Sequence, residues 1–379
     1  MSLARGTPAN MGAVRTIVVS DLHLGVENGA DVARFTAARE RLLEALDAAD
    51  RVVLLGDVLE LRERPLPELL RRVRPFFEEA AEALGGKRVT LVPGNHDHAL
   101  AEPYLVRWRL DGASDVCDQE WPIERDEGIA GRLAAWMPHA ELTLAYPGFK
   151  LRPDLYLTHG HYLDVHLTIP RLEALAASGL ARMTRHGRKC RSVADYEAVL
   201  APMYAFHHAL AQSAAPTPQT GSLSRLVWQR ATDPEGPPLA RFLIGRVTIP
   251  GAVAAINRVG LGPFSPVLSG AELRRAGLRA MADVVRALSV GADHVLFGHT
   301  HRPGPLRGDD LGEWRLPGGR QLWNAGSWYH ERVFLGARPH ESPYWPGSVT
   351  WIGPDGPPEL QNVLQDVELR PAPQPARAR

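Results

Sequence analysis

Three short apolar segments near the start of the chain alternate with longer segments of helical periodicity. The apolar segments, at residues 16–20, 51–55 and 88–92, are rich in β-branched residues and run into glycine or polar residues. This pattern is typical of strands that are buried on both faces. Helical patterns separate them at residues 32–48 and 67–84. The order strand–helix–strand–helix–strand predicts right-handed crossovers and a parallel sheet with helices on its faces.

The second half of the chain supplies further predicted elements. Strands are predicted at residues 154–158 and 293–297, each followed by histidines, and an amphipathic helix is predicted over 273–288. Residues 321–324 and 348–352 are predicted to be antiparallel strands that close the sheet. The whole pattern predicts an α/β protein.

The composition narrows the class of protein. The chain has 379 residues with 43 Lys and Arg against 43 Asp and Glu, so it lacks the broad positive field expected of a general nucleic-acid binder. Its two cysteines are too few for a disulfide framework or a thiolate zinc site. No apolar stretch approaches the roughly 20 residues that span a bilayer. The first residues lack the apolar core of a signal peptide, so we predict a cytoplasmic protein.

The charge and apolar patterns divide the chain into a core and an insertion. We predict a disordered leader at 1–12, a core at 13–160 and 271–369, a mostly helical cap inserted at 161–270, and a loose tail at 370–379. A basic cluster at 182–189 forms either a solvated face or a positive rim that attracts anions. The uncharged stretch at 198–223 either packs as a cap helix or offers a face to a lipid-like group, which would give peripheral membrane contact.

Polar residues follow the predicted strands at the points where these strands end. Such residues converge in one crevice at the carboxyl edge of a parallel sheet. The residues are Asp21, His23, Asp57, Asn95, His96, His159, His299 and His301. Two Asp, one Asn and four of the His suit a pair of divalent transition metals with mixed nitrogen and oxygen ligands, which leaves His96 over. Seven ligands serve two ions if one carboxylate bridges them, and such pairs promote displacement at phosphorus.

Five segments around these residues resemble the motifs of the calcineurin-like metallophosphoesterases, namely 20–25, 56–60, 94–97, 158–161 and 298–301. The resemblance implies a four-layer α/β/β/α sandwich of two mixed sheets, to which the cap is an addition. It implies that one metal is held by Asp21, His23, Asp57 and His301. It implies that the other metal is held by Asp57, Asn95, His159 and His299. A hydroxide bridging the two metals would attack phosphorus, while His96 contacts the phosphate and protonates the leaving oxygen.

Several neighbouring residues receive supporting roles. Asp97 is predicted either to fix the tautomer of His96 or to cap a helix. Glu60 is a candidate for orienting a ligand histidine, and His161 either lines the pocket or is solvated. Residues 324–328 are predicted to form a tight turn that packs an aromatic side chain.

The predicted function is a binuclear metal-dependent phosphoesterase that uses Mn, Fe or Zn and acts on a phosphomonoester or phosphodiester, most simply a phosphorylated small molecule. Three narrower groups stay open, and one of them is a phosphatase that acts on small nucleotides or on proteins. Segments 20–25 and 298–303 are similar to those of UDP-diacylglucosamine pyrophosphohydrolases, which act on a nucleotide-sugar lipid but usually have Arg where this chain has His96. DNA-repair exonucleases keep the histidine but are expected to have a long basic groove, so nucleic acid is less favoured. A non-catalytic binding scaffold would be expected to lack metal ligands.

Overall fold

The computed structural model describes residues 14–111, 119–168, 190–213, 258, 270–336 and 338–369. The predicted leader at 1–12, the predicted tail at 370–379, the basic cluster at 182–189 and much of the predicted cap lie outside these residues. The division into core and cap therefore stays a prediction. Within the described part of the chain, no helix is sufficiently long and apolar to cross a membrane.

Eleven strands are described, and they form two sheets. Their bounds are β1 Thr16–Val19, β2 Arg51–Leu54, β3 Arg88–Leu91, β4 Glu120–Pro122, β5 Glu141–Ala145, β6 Gly148–Arg152, β7 Leu155–Thr158, β8 His294–Phe297, β9 Gln321–Asn324, β10 Ser348–Ile352 and β11 Glu359–Asn362. The larger sheet has the order β11–β10–β1–β2–β3–β5–β4, and the smaller sheet has the order β6–β7–β8–β9. Strands β1, β2, β3 and β5 run parallel, as do β7, β8 and β9. Both sheets are therefore mixed, as predicted.

One strand direction differs from the prediction. Residues 321–324 were expected to run antiparallel, but β9 runs parallel to β8, with Leu296 opposite Trp323. This prediction is wrong because residues 298–320 form a connection long enough to return the chain to the starting edge of the sheet, as parallel pairing requires. The prediction for residues 348–352 is confirmed, since β10 pairs antiparallel with β1.

The described helices lie between consecutive strands of the chain. Their bounds are α1 Thr36–Asp47, α2 Leu66–Ala83, α3 Glu102–Asp111, α4 Gly128–Trp136, α5 Val193–Ala211, α6 Gly270–Ala287 and α7 Arg332–Leu335. Helix α5, in the predicted insertion, begins at a capping box in which the Ser192 hydroxyl accepts from the Asp195 amide and the Asp195 carboxylate accepts from the Ser192 amide. Short 3-10 turns at His98–Leu100 and His161–Val165 follow two of the predicted motifs.

Alternation along the strands explains the four layers. Because successive strand residues point to opposite faces, each central strand contributes to two apolar clusters. Val18 and Val53 face the second sheet and pack with Leu157 and Leu296. Their neighbours face the helices and pack in a larger cluster, which contains Ile17, Val52, Leu42, Leu69 and Met281. Both faces of β1 and β2 are buried, which explains their nearly continuous apolar sequence.

Candidate metal centre

The first predicted ligand group comes together at the ends of β1 and β8. Nε2 of His301 lies 3.2 Å from Oδ1 of Asp21 and 3.2 Å from Nε2 of His23. Oδ1 of Asp21 is buried and accepts no hydrogen bond of acceptable geometry. Three ligand atoms of the type that transition metals prefer therefore face one another.

The second group lies at the ends of β2, β3, β7 and β8. Nε2 of His159 lies 3.2 Å from Oδ2 of Asp57, and Nδ1 of His299 lies 3.1 Å from the carboxamide oxygen of Asn95. One ligand atom each from Asp57, His159 and His299 falls within 4.8 Å of the others. This group is almost fully enclosed, because the side chains of Asp57 and His159 are 2% and 0% exposed.

Asp57 is common to the two groups. Its Oδ2 lies 3.2 Å from Nε2 of His159 and 3.8 Å from Nε2 of His23. Its other oxygen, Oδ1, accepts a 2.8 Å hydrogen bond from the backbone amide of His96, which fixes the orientation of the carboxylate. One oxygen of Asp57 therefore faces both groups, as a bridging ligand must.

Three of the histidines have an acceptor on the ring nitrogen that points away from the centre. Nδ1 of His23 lies 3.3 Å from Oε2 of Glu60, and Nε2 of His299 lies 3.0 Å from Oδ1 of Asp164. Nδ1 of His159 donates to the carbonyl oxygen of Leu55 at 3.0 Å. A proton held on the far nitrogen leaves the lone pair of the near nitrogen available to a metal.

The Asn95 carboxamide also fits a cation. Its oxygen faces only acceptors, Oδ2 of Asp57 and Nδ1 of His299, while its nitrogen faces Nη1 of Arg62 at 3.0 Å. Lone pairs aimed at one another repel unless a cation lies between them. With no cation, the amide would be better satisfied in the reversed orientation, in which it donates to Asp57 and His299 and accepts from Arg62. The donor set of both groups therefore fits a metal pair.

The electrostatics of the centre favour positive charge. Burial lowers the pKa of His23, but its hydrogen bond with Glu60 and the charge of Asp57 outweigh this and raise that pKa to about 9. Burial likewise opposes the charge of Asp57 at His159, and the pKa of His159 is raised to about 10. Metal ions displace such protons when they bind, because ligand histidines must be neutral.

The backbone at the ligand residues is unusual. Asp21, His23, Asp57, His299 and His301 all have left-handed φ angles, of 55°, 45°, 51°, 65° and 61°. Among the described residues, Ser289 is the only other non-glycine residue with a positive φ. Residues other than glycine rarely adopt this backbone conformation. It costs on the order of 1–3 kcal/mol per residue and occurs most often at functional sites.

Two glycines allow the loops to approach each other closely. A Cβ on Gly94 would overlap Oδ1 of Asp57 and the ring of His159. A Cβ on Gly56, which also has a left-handed φ of 84°, would overlap the same ring. The glycines of the second and third motifs are therefore required by the contact between loop and imidazole.

His96 lies at the accessible side of the centre. Its side chain is 27% exposed, and its Nε2 lies 4.0 Å from Oδ2 of Asp57. Its Nδ1 is held by Oε2 of Glu60 at 2.6 Å. Burial lowers the pKa of His96 and Arg62 adds to the effect, whereas Glu60 and Asp57 oppose it. The same carboxylate oxygen of Glu60 lies 3.3 Å from Nδ1 of His23, so Glu60 is placed to orient this candidate ligand.

Asp97 differs from both of its predicted roles. Its carboxylate accepts hydrogen bonds from the backbone amides of Gly94, Asp57, Val58 and Leu59, at 2.7 to 3.3 Å. It makes no hydrogen bond that caps the following turn. The prediction that Asp97 fixes the tautomer of His96 is wrong, since Asp97 points into the buried space between the second and third motif loops and Glu60 occupies the position on the imidazole.

Other residues were placed only partly by the sequence. His161 is buried rather than open to a pocket, and its Nε2 lies 3.0 Å from the Tyr146 hydroxyl. Asn324, predicted only as part of a turn, donates to the carbonyl oxygen of Gly298 at 2.8 Å and to the Thr300 hydroxyl at 3.0 Å. It is the last residue of β9 and so lies at a strand end, near which the candidate ligands also lie, and this position was the signal for its role in holding the last motif.

Comparisons with known proteins give one family and 39 chains of solved structures, among them the following two. The sequence model of the calcineurin-like phosphoesterases matches residues 14–213. A cold-active protein-tyrosine phosphatase from a psychrophilic Shewanella species is 14% identical, with 92% of this chain and 80% of that chain covered and a TM-score of 0.29. A dimetal phosphatase from Danio rerio is 13% identical, with 90% and 96% covered and a TM-score of 0.30. No curated protein matches the chain.

Proposed function

Because the chain belongs to the calcineurin-like phosphoesterase family, whose activity is hydrolysis of phosphate esters, we propose that it hydrolyses a phosphomonoester or phosphodiester at a pair of divalent metal ions. The observation that carries the proposal is the position of Asp57, whose Oδ2 faces both groups of potential ligands. Asp21, His23, Asp57 and His301 would hold one ion. Asp57, Asn95, His159 and His299 would hold the other.

The ions and the protein contribute different parts of the chemistry. When bound, two divalent ions neutralise charge on phosphoryl oxygens and provide a nucleophile from water at neutral pH. This set of Asp, Asn and His ligands suits Mn, Fe or Zn, and supply decides among them. The side chains fix the geometry, and the left-handed backbone at Asp21, His23 and Asp57 aims them at one point.

His96 is the proton donor in this proposal. Glu60 holds Nδ1, so Nε2 is the end of the imidazole that is directed to the centre. Lowering of its pKa by burial makes the protonated imidazole a stronger acid than free histidine. A donor placed here protonates the departing alkoxide oxygen, a contribution of about 10²–10⁴-fold to the rate.

Metal analysis with a variant of the bridging residue tests the proposal. Wild-type protein reconstituted with Mn should hold two ions per chain and hydrolyse bis-nitrophenyl phosphate. Asp57→Ala should lose both ions and its turnover. Asp47→Ala, which removes a carboxylate that is 74% exposed, is the matched control and should retain both. Two ions and normal turnover in Asp57→Ala would contradict the bridging assignment, and wild type that binds no metal would contradict the function.

A further inference from the structure

Arg62 lies beside the centre and has no carboxylate partner among the residues that the structure describes. Within the described ranges, its guanidinium has no Asp or Glu within ion-pair distance. Its Nη2 lies 2.8 Å from Nδ1 of His207, and its Nη1 faces the Asn95 carboxamide nitrogen, another donor, at 3.0 Å. Arg64, two residues later, shows the usual alternative, since it pairs with Glu68 at 2.7 Å. An uncompensated guanidinium at the edge of a polar site is able to bind an anion.

Helix α5 determines where the Arg62 side chain lies. A guanidinium has no acceptor, so Nη2 of Arg62 donates and Nδ1 of His207 accepts. The same end of the helix contacts the loop twice more. Nδ1 of His208 lies 3.3 Å from the carbonyl oxygen of Leu61, and the Gln212 side-chain oxygen accepts from the Leu66 amide at 2.8 Å.

The other half of α5 is fixed by a buried carboxylate. Glu197 is 4% exposed, and one of its oxygens accepts from the hydroxyls of Tyr146 and Tyr162, each at 2.7 Å. Its other oxygen lies 3.0 Å from Nε2 of His98. His98 and Tyr162 directly follow the third and fourth motifs. The helix is therefore attached to three of the loops that carry the candidate ligands.

We infer that Arg62, positioned by His207 of α5, binds the anionic oxygens of the substrate's phosphoryl group. This inference rests on the proposed function for the metal centre and adds a substrate-binding residue to it. The planar guanidinium matches phosphate geometry, and its place beside Asn95 puts it within reach of a phosphoryl group at the second ligand group. Helix α5 is then part of the active site, although its sequence lies in the predicted insertion.

Binding of inorganic phosphate to Mn-loaded protein, measured by calorimetry, is the direct test. Arg62→Gln should keep two Mn ions per chain and weaken phosphate binding about tenfold or more, because a charge-assisted pair of hydrogen bonds is lost. Arg64→Gln removes the same charge from the same loop and is the control, with a dissociation constant expected within about twofold of wild type. An equal loss in both variants would indicate a general charge effect and overturn the inference.

Variants of His207 test the positioning step. His207→Leu removes the acceptor and should weaken phosphate binding by a smaller factor than Arg62→Gln. His207→Gln offers another acceptor and should restore the binding. The double variant Arg62→Gln/His207→Leu should bind phosphate no more weakly than Arg62→Gln alone. Additive losses would mean that His207 acts independently of Arg62 and would contradict its positioning role.

The outcomes separate this inference from the proposed function. Ester hydrolysis by wild type, together with an unchanged phosphate dissociation constant in Arg62→Gln, would overturn the inference and leave the function standing. Arg62-dependent phosphate binding by a metal-loaded protein that hydrolyses no ester would support the inference and contradict the proposed function. Loss of Mn from Arg62→Gln would show that the residue supports Asn95 instead, which also overturns the inference.

Discussion

The core loops and helix α5 reach the same centre by different kinds of contact. The loops are joined through the backbone, since the amides of Asp21 and His23 donate to the carbonyl oxygens of Gly56 and Asp57 at 3.0 and 2.7 Å. Helix α5 is attached chiefly by side chains, above all those of Glu197 and His207. Strand pairing therefore sets the position of the loops, whereas individual polar contacts set the position of the helix.

This difference indicates how each region is expected to respond to substitution. The loops carry the candidate metal ligands themselves, so substitution of a loop residue should affect metal binding or bond cleavage. A residue of α5 acts on the loops from outside, so its loss should change stability and substrate binding while leaving the metal pair in place.

The largest effect after loss of the bridging carboxylate is expected at His96. His96→Ala should keep two metals and reduce the rate by about 10²–10⁴-fold for alkyl phosphates, whose leaving oxygen requires a proton. The loss should be much smaller for nitrophenyl phosphates, because nitrophenolate leaves without one. Rate constants for the two ester classes, measured with the same metal content, check this. Equal losses for both classes would show that His96 has a role other than proton donation.

A smaller effect is expected at the carboxylates behind the ligand histidines. Asp164→Asn removes the charged acceptor from His299 and should weaken one of the two metals by about 10–100-fold. Glu60→Gln should weaken the metal of the other group, through His23, to a similar degree. Stepwise metal titration distinguishes the sites, and exposed Asp283→Asn serves as control. Simultaneous loss of both ions in either variant would contradict two separately supported groups.

The smallest effect on turnover is expected in α5. Glu197→Ala leaves two tyrosine hydroxyls and a histidine without their acceptor, and should lower the free energy of unfolding by about 3 kcal/mol. Turnover at a temperature where the variant is folded should fall less than tenfold. Urea unfolding and steady-state rates measure the two quantities. Loss of the bound metals from folded Glu197→Ala would remove the distinction between helix and loops.

Glu197 should also make the free energy of unfolding depend on pH. Burial raises the pKa of Glu197, but the charge of His98 and the hydrogen bonds from His98, Tyr146 and Tyr162 outweigh it and lower the pKa from its ordinary value of 4.5. A lowered carboxylate pKa adds stability above the ordinary value, and this stability is lost as the pH falls through the folded-state pKa. The stability difference between wild type and Glu197→Gln should therefore shrink below pH 4.5. A stability difference that does not change with pH would contradict the lowered pKa of Glu197.

The part of the centre that follows from strand ends was predictable. Parallel strands deliver their next residues to one edge, so Asp21, Asp57, Asn95, His159 and His299 were expected together before any distance was known. The distances support that grouping. Strands β4, β5, β6 and β11 were not predicted, because β4 has only three residues and polar or charged residues interrupt the other three.

Contacts that depend on loop geometry were not predictable. Adjacent positions in a loop point in different directions, so proximity in sequence to His96 favoured Asp97, whereas the side chain that reaches the imidazole is Glu60. The contact between Arg62 and His207 joins residues 145 positions apart, and no periodic pattern relates them. The supporting residues are set by tertiary packing, and the ligands are set by topology.

The left-handed backbone at five of the candidate ligand positions has a consequence for engineering. Glycine adopts that conformation without the steric penalty of a side chain. Glycine at His301 would therefore relieve that penalty and remove a candidate metal ligand in the same step. Thermal stability and metal binding make opposite demands on the backbone at these positions, so gains in thermal stability are better sought on the outer faces of the helices.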